Sequence, residues 1–136
     1  MALPDEKFRE IVFQLLYSED MSAANQEDMI ALLSKELAVT RATVRKAQER
    51  VTEILKKKKE IDEWVMQSSV SYAFERIQTV ERNVLRLGVF ELLYDESIPP
   101  KVAIAEAVRL TRKFGTPEGG AFVNAVLDHI KGLAKK

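Results

Sequence analysis

Val80-Glu81-Arg82-Asn83-Val84-Leu85-Arg86-Leu87-Gly88-Val89-Phe90-Glu91-Leu92-Leu93 is the stretch whose reading decides the fold. Its apolar residues recur at helical spacing but cover more than one face, the pattern of a helix enclosed on several sides. Thr79 opens this helix. Ser97-Ile98-Pro99-Pro100 turns the chain after it, because a residue before proline avoids the helical region. The expectation is a central, most buried helix around which the others pack.

Outward from it the same period returns. Pro100 suits the first position of a helix through Lys113, with Gly115 expected as its C′ glycine. Thr116-Pro117-Glu118 starts another, carrying Phe122, Val123, Val126, Leu127 and Ile130 at helical spacing. Upstream, Phe8, Ile11, Val12, Leu15 and Leu16 form one stripe on a helix beginning near Pro4. A second helix is predicted from Asn25, with Met29, Leu32, Leu33 and Leu37 on one side. Thr40 caps a third, with Val44, Ala47, Val51, Ile54 and Leu55, which either stops near Lys58 or continues to Val65. Gln67-Ser68-Ser69-Val70-Ser71 interrupts the pattern and reads as the boundary between two halves. No alternating β-branched run or hairpin dipeptide occurs. The expectation is an all-α fold, a single domain over residues 1–136 with approximate subdomains 1–70 and 71–136.

Composition narrows the chemistry. The chain has 136 residues, 21 basic and 21 acidic side chains, no cysteine and one histidine. Without cysteine there is no disulfide scaffold, thiolate zinc site or cysteine nucleophile, and His129 alone cannot build a multi-histidine metal site. The pair Gly119-Gly120 lacks the lysine and the preceding strand of a phosphate loop. No apolar run is long enough to span a bilayer, and acids rather than bases open the chain, so no secretory signal is expected and the predicted location is cytoplasmic. The zero net charge is unevenly spread, with residues 41–60 holding eight bases against three acids and residues 61–100 three bases against seven acids. Lys56-Lys57-Lys58-Lys59 reads as a solvated helix surface or as a grip on phosphate. Trp64 and Tyr72 fit core or rim positions as well as base stacking.

Four blocks of sequence carry a resemblance. Arg9-Glu10 followed by Gln14-Leu15-Leu16-Tyr17 comes first, then the central stretch from Val80 to Leu93. Ile98-Pro99-Pro100-Lys101-Val102-Ala103-Ile104-Ala105-Glu106-Ala107-Val108 follows, and Lys113-Phe114-Gly115 with Phe122-Val123-Asn124-Ala125-Val126-Leu127-Asp128 closes the series. In this order, over roughly residues 7 to 131, they resemble the NusB family of bacterial transcription antitermination factors. The resemblance implies two small three-helix bundles packed together, no enzymatic activity, no cofactor and no metal. It implies binding of the single-stranded boxA element of ribosomal RNA leaders as a complex with the ribosomal protein NusE, within a Nus-factor and RNA polymerase assembly. Monomer and homodimer are both open.

Carried over by position, the resemblance implies RNA contacts at Lys7, Arg9, Tyr17, Glu81, Glu118 and Phe122, and partner contacts at Glu81 and Arg82. Tyr17 and Phe122 also fit core positions, and Arg82 and Arg86 fit pairing with a buried acid such as Glu91. Asn124 is expected to bond backbone. The chain departs from the family pattern in its acidic start, Asp5-Glu6, and at Ala105, Ala121 and Ala125. The acidic start and Ala121 remove positive charge where RNA is expected, which leaves a protein-only adaptor as the alternative. A methyltransferase accessory domain is the third reading, disfavoured because no α/β segment or cofactor-binding glycine motif is present.

Overall fold

The computed structural model describes residues 6–21, 35, 38–69 and 76–134. Among these there are six helices and no strand: α1 (Glu6–Met21), α2 (Arg41–Lys56), α3 (Lys58–Ser68), α4 (Thr79–Tyr94), α5 (Pro100–Phe114) and α6 (Pro117–Ala134). The helix expected from Asn25, the start near Pro4 and Tyr72 lie outside the described residues, as does part of the boundary expected near residue 70.

Local signals set most ends. The Thr40 hydroxyl caps α2 by accepting the Thr43 N–H at 3.1 Å. Thr116 does the same for α6, accepting the Gly119 N–H at 3.0 Å. Both outcomes left open after residue 55 are partly met. The chain leaves the α-helix at Lys57 (φ −104°, ψ 6°), whose N–H donates to the Ile54 carbonyl at 3.0 Å, and then starts α3.

Helix α4 is central: ten of its sixteen residues are buried, so it has almost no solvent face. It packs against α1, α2, α3, α5 and α6. A Cβ on Gly88 would lie 2.9 Å from Leu127 Cδ1 and 3.4 Å from Ala107 Cβ, so glycine sets how closely α4 approaches α5 and α6. Ile11, Leu16, Val44, Ile54, Ile61, Leu85, Leu110, Leu127 and Ile130 are fully buried in one cluster that all six helices supply. Gly115 departs from expectation. Its φ is −132°, not the left-handed conformation of a C′ glycine. Space explains it instead, since a Cβ there would lie 3.0 Å from the Thr111 carbonyl oxygen and 3.1 Å from Val80 Cγ1.

Candidate functional site

Two groups of charged side chains tie the helices together and fix which residues remain for a ligand. In the first, Arg9 of α1 is 3% exposed. Its Nε donates to both carboxylate oxygens of Glu91 on α4, at 3.1 and 2.9 Å, and its Nη1 to Glu106 of α5 at 3.2 Å. Arg109 extends the group, donating to Glu106 at 3.0 Å and to Glu10 at 2.8 Å, and Lys113 reaches Glu10 at 2.9 Å. Burial works against ionisation of Glu10, but the bonds from Lys113 and Arg109 outweigh it and hold its carboxyl below the usual range. Arg9 therefore leaves the expected RNA-contacting set: its guanidinium is enclosed against Glu91 and Glu106, and a phosphate cannot reach it without dismantling that pair.

The second group joins α1, α3 and α4. Asp20 accepts from Arg82 at 2.6 and 3.0 Å and from Asn83 at 3.0 Å. Arg86 clasps Asp62 with two bonds of 3.0 Å and donates to the Asn83 side-chain oxygen at 3.3 Å. Burial opposes the Asp20 charge, yet the donors Arg82 and Asn83 and the charge of Arg86 hold its pKa below the ordinary value. Arg82 and Arg86 do pair with acids, as one reading expected, but the acids are Asp20 and Asp62, while Glu91 belongs to Arg9. Nothing in the local sequence marks these pairings, because the partners stand 24 to 82 residues apart.

The other expected site residues gather partly at the start of α4 and α6. Glu81 and Glu118 line one cavity of about 460 Å³ together with Arg76, Gln78, Thr116 and Gly119. Glu81 is 6% exposed, and burial pushes its carboxyl above the usual range. A Cβ on Gly119 would lie 2.6 Å from Glu81 Oε2, so only glycine at this position lets the carboxylate rest against the first turn of α6. Phe122 follows Glu118 by one helical turn and is half-buried against the core. Tyr17 is likewise half-buried, its ring 6.0 Å from Phe13, which in turn packs 4.9 Å from Phe114 of α5. Both aromatic residues thus combine the core and surface readings. Lys7 is exposed on α1, ten residues and so about 15 Å of helix before Tyr17. Arg82, held to Asp20, sits next to Glu81 on α4 and keeps about a fifth of its side chain exposed. Asn124 and His129 are exposed on α6, so Asn124 is not the buried amide expected. Among the described residues no cluster of acids or histidines is fit to hold a metal ion, and no helix is long and apolar enough to cross a membrane.

Comparison with known proteins bears on this arrangement. Residues 6–131 match the model of the NusB family. The transcription antitermination protein NusB of Dehalococcoides mccartyi (strain CBDB1) is 36% identical over 135 residues, covering 98% of this chain and 94% of its own. The structure of T. maritima NusB superposes with a TM-score of 0.78 at 28% identity, covering 97% of this chain and 93% of that one. A chain from the crystal structure of the antitermination factors NusB and NusE in complex with double-stranded RNA does so with a TM-score of 0.80 at 28% identity, covering 94% and 96%. With a central helix enclosed by five others and a family match spanning residues 6–131, the chain belongs to the NusB family of transcription antitermination factors, which are regulators and not enzymes.

Proposed function

We propose that this protein acts in the cytoplasm as a transcription antitermination factor that binds the single-stranded boxA element of ribosomal RNA leaders together with NusE, within a Nus-factor and RNA polymerase assembly. The observation that supports RNA binding alongside NusE is the match, over nearly the whole chain, to a NusB fold solved with NusE and double-stranded RNA; the single-stranded boxA element is what the family resemblance adds. Lys7, Tyr17, Glu81, Glu118 and Phe122 are the RNA-contacting residues in this proposal, with Glu81 and Arg82 meeting NusE.

The chemistry is consistent with modest affinity. Lys7 offers an ion pair to phosphate, and the half-buried rings of Tyr17 and Phe122 offer faces on which unstacked bases rest. The Glu81 and Glu118 carboxylates repel phosphate but accept from the amino edge of a base or from a basic side chain of a partner. Binding by this chain alone is therefore weak, and NusE supplies the remaining surface.

A titration of boxA RNA with and without NusE at several salt concentrations tests this. Lys7→Ala flattens the salt dependence by about 0.7, the value for one phosphate of a single strand left unneutralised, whereas Phe122→Ala weakens binding with the slope unchanged. The enclosure of Arg9 and the acids around the cavity favour one other outcome, a protein-only adaptor. If both variants bind RNA as the unmodified protein does, RNA is not held at these residues; if this chain adds no RNA affinity to NusE while still pairing with it, the adaptor reading replaces the RNA reading.

A further inference from the structure

Glu81 differs from the other buried charges of this chain. Arg9 is tied to Glu91, and Arg86 to Asp62, but Glu81, 6% exposed in the first turn of α4, has no ion pair or hydrogen bond among the described residues. Burial disfavours its charge, and no neighbouring group offsets that cost. Buried carboxylates are ordinarily paired or hydrogen-bonded, so one left open beside a cavity calls for donors from outside the chain. Its Oε2 rests against Gly119, and both residues line the cavity of about 460 Å³ at the starts of α4 and α6.

The rest of the lining narrows the ligand. Arg76 and Gln78, just before α4, and Thr116 and Glu118, at the start of α6, complete it. The exposed charges of Arg76 and Glu118 offset each other, so the cavity suits a neutral group with its own donors better than a bare cation. Its volume falls within the roughly 300–1,000 Å³ of small-molecule sites. An unstacked RNA base meets these conditions, and the edges of the four bases separate them. Guanine presents two adjacent donors, N1–H and the 2-amino group, to the two oxygens of an ionised carboxylate. Its O6 lies beside them, where Arg76 or Gln78 can donate. Adenine and cytosine place an acceptor ring nitrogen next to their amino group, which an ionised carboxylate repels. Uracil flanks its single donor with two carbonyl oxygens.

We propose that Glu81 reads one guanine of the bound RNA through its Watson–Crick edge, in the cavity at the starts of α4 and α6. This deepens the RNA reading given above and rests on it, but the two can fail separately. The test uses the protein with saturating NusE and two sets of RNA. In one, each guanine of a boxA RNA is replaced in turn by inosine, which lacks the 2-amino group, or by adenine. In the other, oligouridine carries a single central guanine, inosine or adenine. Inosine at one position, and in the oligouridine, should weaken binding about tenfold, and adenine at least as much. Glu81→Gln keeps the shape but replaces one acceptor by a donor, so it should abolish the guanine-over-inosine ratio and shift preference towards adenine, whose N1 accepts and whose amino group donates. The readout is a ratio of two RNAs on one complex, so a weaker hold on NusE does not move it. A ratio near one for the unmodified protein in both sets, or a ratio that survives in Glu81→Gln, overturns the guanine site and leaves the cavity to a basic side chain of a protein partner. If the boxA RNA fails to bind at all, the boxA reading falls. The oligouridine set then decides the guanine site, and failure to prefer the guanine oligomer there overturns it.

Discussion

Removing the Arg9 guanidinium strands a carboxylate in the interior, and the size of the effect follows from the geometry. Glu91 is buried as deeply as Arg9, at 4% side-chain exposure each, and among the described residues no other side chain donates a hydrogen bond to it. Glu106 keeps its two bonds from Arg109, so the loss falls on Glu91. Breaking a buried ion pair in this way costs about 3–5 kcal/mol, which is the expectation for Arg9→Ala at neutral pH in urea unfolding followed by far-ultraviolet circular dichroism. Burial already pushes the Glu91 carboxyl up against the opposing pull of Arg9, and without Arg9 it rises further. Below the unfolded carboxylate pKa of about 4.3 Glu91 is neutral in both states, so the penalty is absent there and grows as pH rises. The loss at pH 4 should therefore be much smaller than at pH 7. Replacing both members by apolar residues, Arg9→Met/Glu91→Leu, should recover most of the stability. An Arg9→Ala loss under about 0.5 kcal/mol, the range of ordinary surface changes, would refute the assignment of Arg9 as a structural tie.

Gly119→Ala displaces the Glu81 carboxylate and brings a methyl group to 3.0 Å from Thr111 Cγ2; offset by the helix preference of alanine, it should cost no more than about 1 kcal/mol in thermal unfolding. Leu87, 3% exposed on α4, should cost about 2–5 kcal/mol when cut to alanine, and a loss under about 0.5 kcal/mol in denaturant titration would refute its place in the core. Because the folded-state pKa of Asp20 is lowered, its stabilisation is present above the unfolded value of about 3.9 and is lost as pH falls through the folded one. Asp20→Asn should accordingly lower stability at pH 7 and make the acid limb of a stability–pH curve shallower. Thr40→Ala removes the α2 cap and should cost about 1 kcal/mol, measurable by chemical denaturation.

Period and capping make the helices legible, because both act over one or two turns. The stripe around Leu85 marks the buried centre, and Thr40 and Thr116 mark helix starts that the structure keeps. Lys57 is ambiguous for a physical reason: the apolar stripe continues across it, and only the backbone shows where the helix stops and restarts. Gly115 misleads because close approach and left-handed conformation require the same residue. The candidate site is less accessible to such reasoning. Arg9 looks like a surface cation in isolation, and its burial depends on acids in α4 and α5 that no local pattern connects to it. The cradle that Gly119 forms for Glu81 depends in the same way on two helices meeting.

The distant pairing of the first helix bears on how the chain is made. Arg9 finds Glu91 82 residues later, and Glu10 meets Arg109 99 residues later. Synthesis at about 5–20 residues per second therefore leaves α1 without its α4 and α5 partners for roughly 4–16 s or more after it emerges. During that interval, among the described residues synthesised by then, α2 is the helix packed most closely on the stripe of Ile11, Val12, Leu15 and Leu16. The ion pairs that fix α1 against α4 and α5 can therefore close only after residues 91 to 109 have been made.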